Sequence, residues 1–142
     1  MQKARMRFYI VILILVGCIV WMDSYTPKDA VTKNDLLTEF NAISQMPGAK
    51  NPSQTSIMKN TGGVLSNKFD SSSSFDDLKK YYEGELPKHE WTFVEQKNLK
   101  DWGKYYGEKS LIYRKGKLKL SIEYSGERYS ETGWTFAVSI SW

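Results

Sequence analysis

The sequence predicts an α+β fold with two helices laid on one face of a mainly antiparallel sheet. Three observations point there. Leu118, Leu120, Ile122 and Tyr124 alternate with Lys117, Lys119, Ser121 and Glu123, and Trp134, Phe136, Val138, Ile140 and Trp142 alternate with Thr135, Ala137, Ser139 and Ser141. Period-two alternation with one polar face belongs to an antiparallel sheet covered on one side. Two earlier segments carry apolar residues at helical spacing instead. Aromatic residues reach 14%, with five Trp and nine Tyr, which suits the broad surfaces of a sheet.

Taken in chain order, the first helix opens at Thr32, with Asp35 three residues on as an acidic capping box. Leu36, Leu37, Phe40 and Ile43 make its apolar stripe, and Pro47-Gly48 ends it. Asn51 to Gln54 reads as a turn. Thr55–Asn60 and Val64–Asp70 read as two short strands around a tight turn at Thr61-Gly62-Gly63. The run Ser71 to Ser74 reads as a solvated loop whose last member caps a second helix, Phe75 to Leu86, with Asp77 completing the box. Phe75, Leu78, Tyr82 (or Tyr81) and Leu86 form its apolar face, and Pro87 ends or kinks it. Four strands complete the chain: Trp91–Glu95, Ser110–Arg114, Lys117–Tyr124 and Trp134–Trp142, with a loop from Gly126 to Gly133 before the last.

The chain of 142 residues is long enough for one domain. Its net charge of +4 is concentrated at the start. Lys3, Arg5 and Arg7 precede the first acid, Asp23, and the remainder holds seventeen basic and sixteen acidic residues. A nucleic-acid interface would place the basic excess on the folded domain, so nucleic acid is not an expected partner. The segment Phe8 to Met22 is an uncharged run of fifteen residues with no polar face. Cations on one side only predict an N-terminus in the cytoplasm and export of the chain beyond the run. As a helix the run spans about 22 Å. That is short for a transmembrane helix of about 20 residues and within the range of a signal-peptide apolar region. The expected organisation is a basic flank with a membrane anchor or lipoprotein signal at 1–22, a tether at 23–32, and an extracytoplasmic domain at 33–142.

Leu15-Val16-Gly17-Cys18 resembles the lipobox of bacterial lipoproteins. The resemblance implies cleavage before Cys18 and lipid on its thiol. The uncleaved spanning helix is the alternative, with Cys18 a small apolar filler. Either leaves the domain anchored at the membrane. The apolar order Phe75, Leu78, Tyr82, Leu86, then Trp91 and a β-meander, is similar to small helix-grip-like domains of bacterial envelope lipoproteins. That resemblance covers roughly residues 55–142 and implies a scaffolding or binding role.

The residues offer little chemistry. Cys18 is the one cysteine, so the chain closes no disulfide on itself and the domain holds no thiolate metal site. His89 is the one histidine; Glu85 and Glu90 beside it make a weak ligand set, and a residue capping a helix end is the expected role. Asp101 is present without a Gly-x-Ser-x-Gly elbow, and Thr61-Gly62-Gly63 lacks the spacing of a phosphate loop. Glu83 and Glu85 point to different helix faces, while Glu123 and Glu131 could meet across strands. No metal or other cofactor is expected, and no enzyme.

The densest chemistry lies from Lys97 to Lys119. Lys97, Lys100, Lys104, Lys109, Arg114, Lys115, Lys117 and Lys119 outnumber Asp101 and Glu108, and Trp102, Tyr105 and Tyr106 are interleaved. These residues fit a solvated sheet face with lysines guarding an edge strand. They also fit a patch docking on anionic headgroups or envelope polymers. The expected function is therefore a membrane-tethered, non-enzymatic domain binding an envelope protein or the envelope itself. An extracytoplasmic hydrolase using carboxylates is the alternative. A secretion- or pilus-associated subunit is a third reading, and Pro27 weighs against it by interrupting any helix continuing from the membrane.

Overall fold

A six-stranded sheet, every neighbouring pair antiparallel, forms the frame in the order β1-β2-β6-β5-β4-β3. The computed structural model describes residues 31–59 and 62–142. The apolar run, Cys18 and the cations Lys3, Arg5 and Arg7 lie outside the described residues, as does the tether up to residue 30. No helix among the described residues is long and apolar enough to cross a membrane.

The strands are β1 (Lys50–Lys59), β2 (Gly62–Asp70), β3 (Thr92–Asn98), β4 (Lys109–Lys115), β5 (Leu118–Tyr124) and β6 (Phe136–Ser141). Helix α1 (Lys33–Ala42) precedes β1, and α2 (Phe75–Glu85) lies between β2 and β3. A single-turn helix α3 (Tyr129–Thr132) interrupts the β5–β6 connection, which the sequence suggested was plain loop. Strand β1 begins at Lys50, where Asn51–Gln54 suggested a turn. The segment pairs with β2 through an irregularity between Lys50 and Ser53, and partner hydrogen bonds outweigh its polar composition.

Both long helices begin as their sequences dictate. Thr32 Oγ1 accepts from the Asp35 amide at 3.2 Å while the Thr32 amide donates to Asp35 Oδ2 at 2.7 Å. Ser74 and Asp77 repeat the pattern at α2, at 3.2 Å in both directions. Each box satisfies two amides that a helix start leaves unpaired. Beyond α2 the chain tightens into a 3-10 turn, Leu86–His89, with Pro87 in its first turn, and Glu90 closes it at φ +64.

One sheet face and both helices build the core. Leu65 and Phe69 of β2, Leu111 and Tyr113 of β4, Leu120 and Ile122 of β5, and Phe136, Val138 and Ile140 of β6 are buried against Leu36, Phe40, Phe75, Leu78, Tyr82 and Leu86. The registers Leu65↔Ile140, Leu120↔Ile140, Leu111↔Ile122 and Tyr113↔Leu120 hold these side chains on one face. Phe69 and Phe136 stack at 4.9 Å between ring centres, an aromatic cross-strand pair. Burial of this apolar face is the main stabilising contribution, at about 25 cal/mol per Å² removed from water. The other face is hydroxyl-rich: Ser139 Oγ donates to Ser66 Oγ at 2.8 Å, and the Ser110 and Ser121 hydroxyls lie 3.1 Å apart.

Candidate functional site

Two features share one end of the sheet, where β2 and β5 finish and β4 and β6 begin. The first is an arm, residues 99–108, joining β3 to β4. The Leu99 amide donates to the Glu108 carbonyl at 3.0 Å. Further out, Asp101 and Lys104 exchange both backbone bonds, at 3.0 and 2.9 Å, leaving Trp102-Gly103 as a two-residue turn. Both turn residues have positive φ, +48 for Trp102 and +80 for Gly103, the pattern of a type I′ turn. Glycine occupies that region freely. Tryptophan does not, since its Cβ meets the backbone there at a cost of about 1–2 kcal/mol. The Trp102 side chain is 97% exposed, and Tyr105 beside it is about half exposed.

Arg128, in the β5–β6 connection, braces the arm. Its Nη1 lies 2.9 Å from Asp101 and 3.2 Å from Glu108, its Nε lies 2.9 Å from Glu131, and its guanidinium sits 5.8 Å from the centre of the Tyr106 ring. The Glu127 amide adds a bond to the Tyr106 carbonyl at 2.8 Å. Gly126, at φ +60, allows this approach, because a Cβ there would collide with the Tyr106 carbonyl and the Gly107 backbone. One cation thus meets both acids of the arm. Lys100 and Lys104 have no ion-pair partner among the described residues, so the outward charge of the arm is positive.

The second feature is a polar cleft of about 560 Å³. Asp70, Lys50, Tyr124, Tyr129 and the serine run contribute to its lining. Ser71–Ser73, expected as solvated loop, form part of this wall. The Tyr129 hydroxyl donates to Asp70 Oδ2 at 3.1 Å, and the neighbouring carboxylate pushes the phenol pKa up. Thr135 Oγ1 donates to the Ser71 carbonyl at 2.8 Å and accepts from the Ser71 amide at 3.1 Å. Asp70 is the single carboxylate on the described lining.

The eleven residues singled out between Lys97 and Lys119 fall in four places. Lys100, Trp102, Lys104, Tyr105 and Tyr106 lie on the arm. Lys97 projects from edge strand β3 and pairs with Glu95 at 2.8 Å. Arg114 and Lys119 are exposed and face each other across β4 and β5 on the hydroxyl-rich face, with Lys117 in the turn beside them. Lys109 and Lys115 are on the helix side: Lys109 Nζ stands 4.4 Å from the centre of the Phe75 ring, and Lys115 Nζ is 2.9 Å from Glu39. The alternation of a strand separates cations that the sequence places close together.

His89 lies 3.2 Å from Glu85 Oε1, and Lys88 Nζ lies 2.8 Å from Glu85 Oε2. Bonds from Lys88, Ser44 and His89 hold the Glu85 carboxyl down at about 2. The sequence makes His89 with Glu85 only a weak ligand set and places His89 at a helix end; in the structure the two side chains meet there, across the end of α2 and the 3-10 turn. Among the described residues no group of three or more His, Cys, Asp or Glu could hold a metal ion. Arg128 carries no sequence signal for the arm because Asp101 and Glu108 lie 27 and 20 positions away on another connection. Its nearest local signal is the three-residue spacing to Glu131.

Comparison with family models, with curated proteins and with solved structures finds no match, so the reading of this end of the molecule rests on its own residues.

Proposed function

We propose that the chain is a membrane-tethered, non-enzymatic extracytoplasmic domain that binds the envelope or a protein within it. The arm carries this reading: a ring 97% exposed stands on a turn that disfavours it, braced from behind by Arg128. Sparsely populated backbone conformations cluster where function requires them, and a fully hydrated Trp contributes nothing to folding. Edge strand β3 adds exposed apolar surface at Phe93 and Val94, close to half accessible each. The apolar run Phe8–Met22 with its preceding cations supplies the anchor and the topology. The hydrolase alternative needs a second acid opposite Asp70.

The test is fractionation and protease shaving of bacterial spheroplasts that express the full chain. The expected result is sedimentation with membranes and removal of residues 31–142 by protease added outside. Recovery in the soluble fraction, or protection of the domain until the membrane is opened, would overturn the reading.

A further inference from the structure

We infer that the arm is a docking device for an anionic phospholipid surface, with Trp102 entering the headgroup layer and Lys100 and Lys104 meeting lipid phosphates. The inference rests on the tethered-domain reading and names the partner of its binding feature.

The shape favours a lipid surface. Trp102 stands at the apex of a two-residue turn, where no neighbouring side chain covers it. An interface Trp that anchors a protein partner is normally ringed by near-neutral contacts that exclude water. A single convex tip suits a soft layer that closes around it. Indole rings favour headgroup depth, with an apolar body on the acyl side and an N–H facing water.

The charge agrees. Asp101 and Glu108 would repel phosphates, but Arg128 meets both of them, at 2.9 and 3.2 Å. Lys100 and Lys104 flank the ring without described partners, and each cation near an anionic leaflet adds a favourable contribution. The Asp101 and Lys104 backbone groups bond to each other, so the neck of the turn brings no unpaired amide toward the lipid.

The test reconstitutes the full chain in phosphatidylcholine liposomes with and without phosphatidylglycerol, a fraction of the lipids carrying bromine on their acyl chains. Tryptophan fluorescence is compared between the wild type and Trp102→Asn, so that Trp21 and the other indoles cancel. Asparagine tolerates the left-handed turn and preserves the fold. The expected result is extra quenching in the wild type, about threefold or more larger with phosphatidylglycerol than without it, and lost in 0.5 M salt. Lys100→Gln with Lys104→Gln should reduce that difference by a similar factor. Equal extra quenching in both lipids overturns the anionic assignment, and none in either overturns docking by the arm.

Flotation separates this inference from the reading beneath it. A chain that floats with liposomes without Trp102 quenching keeps the tether and loses the arm. A chain that does not float loses the tether, and quenching by excess phosphatidylglycerol liposomes still decides the arm. Photo-crosslinking from a photoreactive phenylalanine analogue at position 102 in bacterial membranes covers the remaining occupant. Lipid adducts support the inference, and a protein adduct in their place overturns it.

Discussion

The ring of Trp142 lies directly over Gly63, leaving no room for even a methyl group on that residue. The two meet where β2 and β6 run together, and the Trp142 amide donates to the Gly63 carbonyl at 3.4 Å. Gly63→Ala should therefore destabilise the domain by about 1 kcal/mol, the low end of overpacking costs, because the partly buried Trp142 ring and the Met58 thioether must shift to make room. Urea unfolding measures it. Trp142→Ala in the same chain should recover part of the loss, and strictly additive single and double variants would show that the ring and the methyl do not meet.

Trp102→Asn should raise stability, by about 1 kcal/mol, because asparagine occupies the left-handed region at lower cost than tryptophan. Most substitutions destabilise, so an increase in the urea midpoint with unchanged slope is a discriminating result. A fall in midpoint would mean the ring makes folding contacts that its exposure denies.

Tyr113 is buried on the helix side of β4, and its hydroxyl has no hydrogen-bond partner among the described residues. Burial pushes its pKa up to about 12. Tyr113→Phe keeps the ring contact with Phe93, at 5.3 Å between centres, and removes the orphaned group. Relief of the desolvation penalty should stabilise the domain by about 1 kcal/mol in thermal unfolding. A loss of similar size would reveal a partner for the hydroxyl.

Acid should weaken the domain in a defined window. The Glu85 carboxyl sits at about 2 in the folded state, against an ordinary value of 4.5. A depressed folded pKa gives stability that is complete above about 4.5 and lost as pH falls toward about 2. Asp35 and Asp77, lowered by their backbone and side-chain bonds to Thr32 and Ser74, act in the same direction. Urea midpoints from pH 6 to pH 2 should fall through that window, and Glu85→Gln should flatten part of the fall. An unchanged slope in the variant would remove Glu85 from the account.

Local signals in the sequence were informative, and pairings between distant segments were not. Thr32 with Asp35 and Ser74 with Asp77 announce both long helices because a capping box is complete within four residues. Leu118 to Tyr124 and Trp134 to Trp142 announce strands because alternation is equally local. The start of β1 was hidden, since Asn51-Pro52-Ser53 carries turn chemistry and only pairing with β2 makes it a strand; proline is accommodated there because β1 is an edge. The candidate site was legible in part. Asp101-Trp102-Gly103-Lys104 contains the glycine of a tight turn, yet the exposure of Trp102 comes from the projection of the whole arm. Strand geometry moved Lys109 and Lys115 to the face opposite Arg114 and Lys119, and the brace at Arg128 depends on contacts up to 27 positions away in the chain.

The strand order also sets an order of assembly. The sixth strand lies third in the sheet, joining the β1–β2 hairpin to the β5-β4-β3 meander. Until residues 136–141 are in place, the two sets of strands have no shared hydrogen bonds, and Leu65 and Leu120 lack the Ile140 that both face. The domain therefore cannot assemble progressively from its N-terminal end, and its folding must wait for β6. Chains truncated before Phe136 should remain as open to protease as an unfolded polypeptide, and restoring β6 should close the sheet in one cooperative step.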